Sequence, residues 1–181
     1  MTLGRRAEFD TWETVDGETC CVKLFELRMS AQVHILTADH DDQIVRSLTH
    51  SADGFILVYS ITDKRSFDAA SRVHEAIHKI RNNSDTPSVL VGNKGEAFTE
   101  REVHVSDGTD LAFDIGTAFY ETSTRMDMEK VRSIFHDVIR QVRCVRLRSR
   151  CQEQSCNKVR GFIHRLSLRS KRKSLKRQST G

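Results

Sequence analysis

The stretch Pro87–Phe98 reads PSVLVGNKGEAF. Val89, Leu90 and Val91 form an unbroken apolar run between a proline and a polar loop. Such a run lacks the alternation of a half-exposed strand and fits a strand buried on both faces, as in a parallel sheet. It breaks at once into Asn93-Lys94-Gly95-Glu96. The strand therefore delivers an amide, an ammonium and a carboxylate together at its carboxyl end.

Working outward, GFILVYS (Gly54–Ser60) is a second run of the same kind. Beyond Thr62 and Asp63, the spacing of Phe67, Ala70, Val73, Ile77 and Ile80 predicts a helix with one apolar stripe. Ser106 is expected to cap a short helix carrying Leu111, Ala112 and Ile115. AFYETS (Ala118–Ser123) reads as a third strand. A last helix, from about Met126 to Arg143, aligns Met128, Val131, Ile134, Phe135, Val138 and Val142. Upstream, ETVDGETCCVKLFEL (Glu13–Leu27) places Asp16-Gly17 between two strand-like runs, a hairpin signal. Strands alternating with helices imply right-handed crossovers. The fold class expected is α/β: a mostly parallel sheet with helices on both faces and an antiparallel hairpin at its edge. In such sheets ligands bind at the carboxyl ends of the strands. The loops after Ser60, Asn93 and Ser123 gather there.

The net charge of +4 conceals an asymmetry. Residues 146–181 hold twelve Lys/Arg and one acid, Glu153, whereas residues 1–145 hold seventeen basic and twenty-four acidic side chains. The division expected is an acidic globular domain over 1–145 and a basic, partly amphipathic tail over 146–181. An acidic body without a base-reading motif makes nucleic acid an unsuitable partner. No apolar run approaches the roughly 18 residues of a membrane span. The opening MTLGRRAEFD has no apolar signal core, so a cytoplasmic chain is expected. Five cysteines at irregular spacing fit a reducing compartment. Cys20 and Cys21 are expected to pack in the core. The eight histidines show no metal spacing and are expected at surface or cap positions, including the i, i+4 pair His74 and His78.

The chemistry lies at the strand ends. Guanine presents two adjacent N–H donors that one carboxylate accepts together, a role suited to Glu96. The Lys94 stem can cover a purine face, and Asn93 can tie neighbouring loops. In Glu121-Thr122-Ser123-Thr124, backbone N–H groups can meet the guanine carbonyl. Taken alone, each of these is only a polar loop. They gain meaning from their order on adjacent strands.

At these residues the chain resembles the Ras-like small GTPases, roughly from Val15 to Arg143. The family's Asn-Lys-x-Asp guanine motif appears as Asn93, Lys94, Gly95 and Glu96, and its Ser-Ala-Lys loop as Ser123, Thr124 and Arg125. VDGETC (Val15–Cys20), ADGFILVYSITDKRSF (Ala52–Phe67) and REVHVSDG (Arg101–Gly108) are also similar to family sequence. The last helix, running into a long basic end, is most similar to the Rad/Gem/Rem/Kir subfamily. That resemblance implies guanine-nucleotide binding and a place at the inner face of the plasma membrane. It also implies regulation of voltage-gated calcium channels, and tails that bind calmodulin and phosphorylation-dependent adaptor proteins.

The departures are as specific as the matches. A phosphate-cradling G-x-x-x-x-G-K-[ST] run is absent from these 181 residues, as though the family's first strand and its loop were missing. The family's metal-binding Asp-x-x-Gly falls either on Glu26-Leu27-Arg28-Met29 or on Leu36-Thr37-Ala38-Asp39, and neither retains both residues. Glu96 is one methylene longer than the family's Asp. The expectation is therefore weak GTP or GDP binding, no bound Mg²⁺ and no GTP hydrolysis, since phosphoryl transfer rests on positioning and charge stabilisation. Two alternatives stay open: an adaptor that binds no nucleotide, and a truncated form of an active GTPase.

In the tail, Phe162, Ile163 and Leu166 share a helical face while Arg165, Arg169, Lys171, Arg172 and Lys173 fill the surroundings. This pattern suits an anionic lipid surface or calmodulin. Ser167, Ser174 and Ser179 follow basic residues, as substrates of basic-directed kinases do. Phosphate there would subtract charge and release the tail. Cys144, Cys151 and Cys156 beside it are candidates for acylation, and the ending QSTG is no prenylation box.

Overall fold

The structure, a computed structural model, describes residues 7–26, 42–82, 85–123 and 127–152. Strands β1 (Ala7–Val15) and β2 (Glu18–Glu26) form the expected hairpin. Asp16 and Gly17 both take positive φ, 53° and 81°, which matches the twist of a two-residue hairpin turn. Helix α1 (Asp42–Ser51) was not among the expected elements. Then follow β3 (Phe55–Ser60), α2 (Lys64–Arg81), β4 (Ser88–Asn93), α3 (Val105–Asp114), β5 (Ala118–Glu121) and α4 (residues 128–152). No described helix is long and apolar enough to cross a membrane. Internal contacts divide the chain into Met1–Val142 and Arg143–Gly181.

Strands β3, β4 and β5 form a parallel sheet in that order, as the α/β pattern requires. The hairpin departs from expectation in one respect. Among the described residues it pairs only with itself and adds no edge to the parallel sheet. Its turn end is held by side chains instead. Arg140 grips Asp16 through two hydrogen bonds of 2.7 and 2.8 Å, and Glu13 lies 3.4 Å from His136 and 3.6 Å from Arg132.

Each face of the sheet has its own apolar layer. On one face Leu57, Tyr59 and Leu90 meet Phe67, Ala70 and Ile77 of α2 and Ala112 of α3. On the other, Val89 and Val91 meet Ile134 of α4, with Val138 packed alongside. Gly54 lets α4 come close, because a Cβ there would lie 2.7 Å from Val138 Cγ1. Helix α2 begins at Asp63, whose Oδ1 accepts from the N–H groups of Arg65 and Ser66. Arg81, in its last turn, donates to the carbonyls of Thr49 and Ala52 and lies over the Phe55 ring, which fastens α1 to α2 and β3. Helix α3 starts one residue before the expected cap. Its cap is His104, two residues before Ser106, and the His104 N–H donates to Asp107 Oδ2 at 3.0 Å.

Three side chains overturn expectations. Cys21 is exposed, because the register pairs it with Trp12 on the outward face of the hairpin, while Cys20 on the other face is half-buried. His74 is buried, at 5% exposure, and stacks on His78 with ring centres 4.2 Å apart. The α2 stripe therefore includes a histidine that hydropathy would have placed outside. Val58, by contrast, remains 56% exposed although Leu57 and Tyr59 beside it are buried. Helix α4 covers β4 and does not shield this position.

Val91→Thr should cost about 1–3 kcal/mol, because it puts a hydroxyl into a dry layer, whereas Val58→Thr should stay within about 0.5 kcal/mol. Parallel urea melts of the two variants measure this. His74 titrates far below its usual range, at about 4, chiefly through burial and then through His78. Its neutral form stabilises the fold fully above pH 6.5, and this contribution disappears as pH falls through about 4. The loss should reach on the order of 2–3 kcal/mol between those limits, and His74→Leu should flatten that part of the stability–pH curve.

Candidate functional site

The parallel register sets the site. Asn93 lies opposite Ser60, and Glu121 lies opposite Gly92, so the loops leaving β4 and β5 emerge side by side. Beyond the ladder they are clasped by backbone. Thr122 N–H donates to Gly92 O at 2.9 Å, and Gly95 N–H donates to Thr122 O at 3.1 Å. The β4 loop is turned tightly: Lys94 adopts φ +67°, its N–H donates to Asn93 Oδ1 at 2.8 Å, and Ala97 N–H closes onto Lys94 O at 2.8 Å. Asparagine at the bend thus ties its own loop.

Of the sequence-predicted residues, Asn93, Glu96 and exposed Lys94 lie on the β4 loop and Ser123 lies on the neighbouring β5 loop. Thr124 and Arg125 lie outside the described residues. So do every tail residue singled out, from Phe162 to Ser179, and most of both candidate Asp-x-x-Gly stretches. Glu96 is half-buried, with Oε2 shut off from solvent. Thr122 and Ser123 are buried, at 4% and 9% exposure, yet Thr122 Oγ1 and Ser123 Oγ make no hydrogen bond among the described residues. Buried hydroxyls normally find partners, since an unmade bond costs free energy. A planar base with mixed donors and acceptors is a suitable complement, so the residues present fit a guanine ring. The backbone N–H of Thr122, expected to face the base, is instead committed to the β4 ladder.

Sequence reasoning missed the support beneath the loop. Arg101 donates twice to Glu121, at 2.6 and 2.8 Å, and once to Val103 O at 3.1 Å. The hydrogen bond to Glu121 pushes the Arg101 guanidinium above its ordinary pKa. Glu121 is therefore a structural anchor for β5 and not a free acceptor. Beside it, Tyr59 is buried, and among the described residues its hydroxyl has no hydrogen-bond partner. Burial, reinforced by the Glu121 carboxylate, pushes its pKa up to about 12. That ring fits because position 92 is glycine, where a Cβ would approach Tyr59 Oη to 2.9 Å; position 108 is tighter still, at 2.6 Å. The Arg-Glu pairing was visible as REV and FYE in the sequence, but their meeting depends on the chain returning across 20 residues. Among the described residues no group of three or more His, Cys, Asp or Glu is arranged to hold a metal ion.

Arg101→Ala should destabilise the fold by about 1–3 kcal/mol, because it leaves a part-buried Glu121 carboxylate uncompensated. The double variant with Glu121→Gln should recover part of that loss. A double-mutant cycle by chemical denaturation would reveal the coupling, and additive losses would show the pair to be inert.

Comparison with known proteins agrees with this geometry. A Ras family profile matches residues 19–144. Mouse GTP-binding protein RAD is 32% identical over 165 residues, covering 91% of this chain and 50% of the relative. Mouse GTP-binding protein GEM is 32% identical over 173 residues, covering 94% of this chain and 52% of the relative. Mouse Ras-like protein family member 11A is 37% identical over 111 residues, covering 60% of this chain and 46% of the relative. The chain thus spans about half the length of the curated relatives it matches.

Proposed function

The chain belongs to the Ras family, and on that premise we propose that it is a signalling regulator of the Rad and Gem type that recognises guanine nucleotides weakly. The observation that carries this reading is the clasped pair of loops, Asn93–Glu96 and Thr122–Ser123, with two buried hydroxyls left unspent. In it, Glu96 accepts the paired N–H donors of the base, Lys94 covers one face, and Ser123 offers its hydroxyl to the base edge. The extra methylene of Glu96 displaces the carboxylate by on the order of 1 Å from where an aspartate would end. Each charge-assisted hydrogen bond is worth about 1.5–3 kcal/mol, so misplacing a pair weakens selection of guanine considerably.

Phosphate affinity is the second weakness. Family GTPases hold phosphates on backbone N–H groups of a glycine-rich loop with a lysine. These 181 residues contain no such run. Residues 1–181 taken by themselves are therefore read as a body that does not accelerate GTP hydrolysis and whose signalling output is a binding surface. For partners, the +11 charge of residues 146–181 supports attachment to an anionic membrane at its cytoplasmic face, with calmodulin and phosphorylation-dependent adaptors as competitors for the same tail. Regulation of voltage-gated calcium channels is the output proposed.

Titration with a fluorescent GDP analogue, with and without Mg²⁺ and against ATP, tests the nucleotide reading. Guanine-selective binding weaker than micromolar and insensitive to Mg²⁺ is expected. Glu96→Asp should tighten it about tenfold, equivalent to about 1.4 kcal/mol. Tight, Mg²⁺-dependent binding by the wild-type chain would refute the weak-binding proposal.

A further inference from the structure

Helix α4 carries a thiol pair that the nucleotide site does not use. Cys144 and Cys151 are both free and exposed. Seven residues separate them, which on an α-helix is about 20° short of two turns and a rise of roughly 10 Å. They therefore lie on one stripe, with Leu147 and Arg148 between them at the i+3 and i+4 positions. Leu147 is an apolar side chain left 59% exposed. Arg146, Arg148 and Arg150 are exposed on the same two turns. The separation is too long for a disulfide between the pair, whose Cα atoms would have to approach within about 7 Å.

We propose that Cys144 and Cys151 are S-acylation sites that fasten this end of α4 to an anionic membrane, with Leu147 entering the interface between them. The donor is a long-chain fatty acyl-CoA. The cysteine sulfur attacks the acyl carbonyl, a new C–S thioester forms, and the C–S bond to CoA breaks. The thiol proton ends on the departing CoA thiol, and nothing is oxidised or reduced. The proposal rests on the membrane reading given above for the basic residues, and it deepens that reading. One acyl chain gives only marginal, reversible attachment, whereas two signals together give stable anchoring. The arginines attract the anionic headgroups, and the two thiols then convert an encounter into a lasting attachment.

The contrast with Cys21 makes the assignment specific. Cys21 is also exposed, but it lies on strand β2 opposite Trp12, next to the Asp10–Lys23 ion pair, with no run of arginines around it. It should remain unmodified.

The test uses the full chain expressed in cultured animal cells. Thioesters are cleaved with hydroxylamine, and each released thiol is given a maleimide mass tag. With Cys156 replaced by serine throughout, so that only the helical pair is read at this end, two tags are expected for the parent chain and for Cys21→Ser, one for Cys144→Ser or Cys151→Ser, and none for the double variant. The double variant should also lose membrane association several-fold while keeping its thermal unfolding midpoint, because both side chains are exposed. No hydroxylamine-dependent tag, or tags that persist in the double variant, would overturn the proposal. A separate arm reads the charge-driven reading alone: unacylated bacterial protein is sedimented with phosphatidylserine-containing vesicles. Failure there, with two tags still present in cells, would sink the electrostatic reading and leave acylation standing.

Discussion

The register of the parallel ladder is the constraint on which the rest depends. Ser60 opposite Asn93 and Gly92 opposite Glu121 bring two distant loops to the same edge. A shift of one residue would turn every strand side chain to the other face. The apolar layers prevent that, because Leu57 and Leu90 must face α2 while Val89 and Val91 face α4. Hydrophobic burial thus aims the polar loops.

Space near the site is rationed by glycine. Tyr59 fills the layer beneath the strand ends, against Phe67 at 5.0 Å, and the absence of a Cβ at positions 92 and 108 leaves room for its ring. The cost is a buried phenol without a partner close to the Arg101–Glu121 pair. The same region therefore combines a satisfied ion pair with unsatisfied hydroxyls at Tyr59, Thr122 and Ser123. Buried polar atoms left unpaired are unfavourable in a purely structural layer. Their concentration at the carboxyl ends of the strands agrees with the general location of ligand sites in open α/β sheets.

Legibility followed the strength of local pattern. The three parallel strands, helix α2 and the hairpin turn could all be read, because each has a continuous apolar run, a clear stripe or a turn dipeptide whose φ values only certain residues accept. Helix α1 was missed, since DQIVRSLTHS carries few apolar residues and its attachment comes from Arg81 far along the chain. Polarity predicts solvent for His74, yet the α2 stripe carries it into the interior. An apolar cysteine pair in a strand predicts core packing for both Cys20 and Cys21, but alternation allows only one of two neighbours to face inward.

By itself the sequence determined the α/β alternation, the two loops bearing Asn93, Glu96 and Ser123, and the separation of an acidic body from a basic end. All of these are properties of short windows or of summed charge. Only the tertiary structure decided that Arg101 anchors Glu121, that Thr122 gives its N–H to the ladder, and that the hairpin is tied through Arg140 and Asp16. It also left Val58 uncovered. The physical reason is sequence separation. Such contacts join residues many positions apart, and which of several available partners a charged or polar group meets is set by the packing of the layers between them.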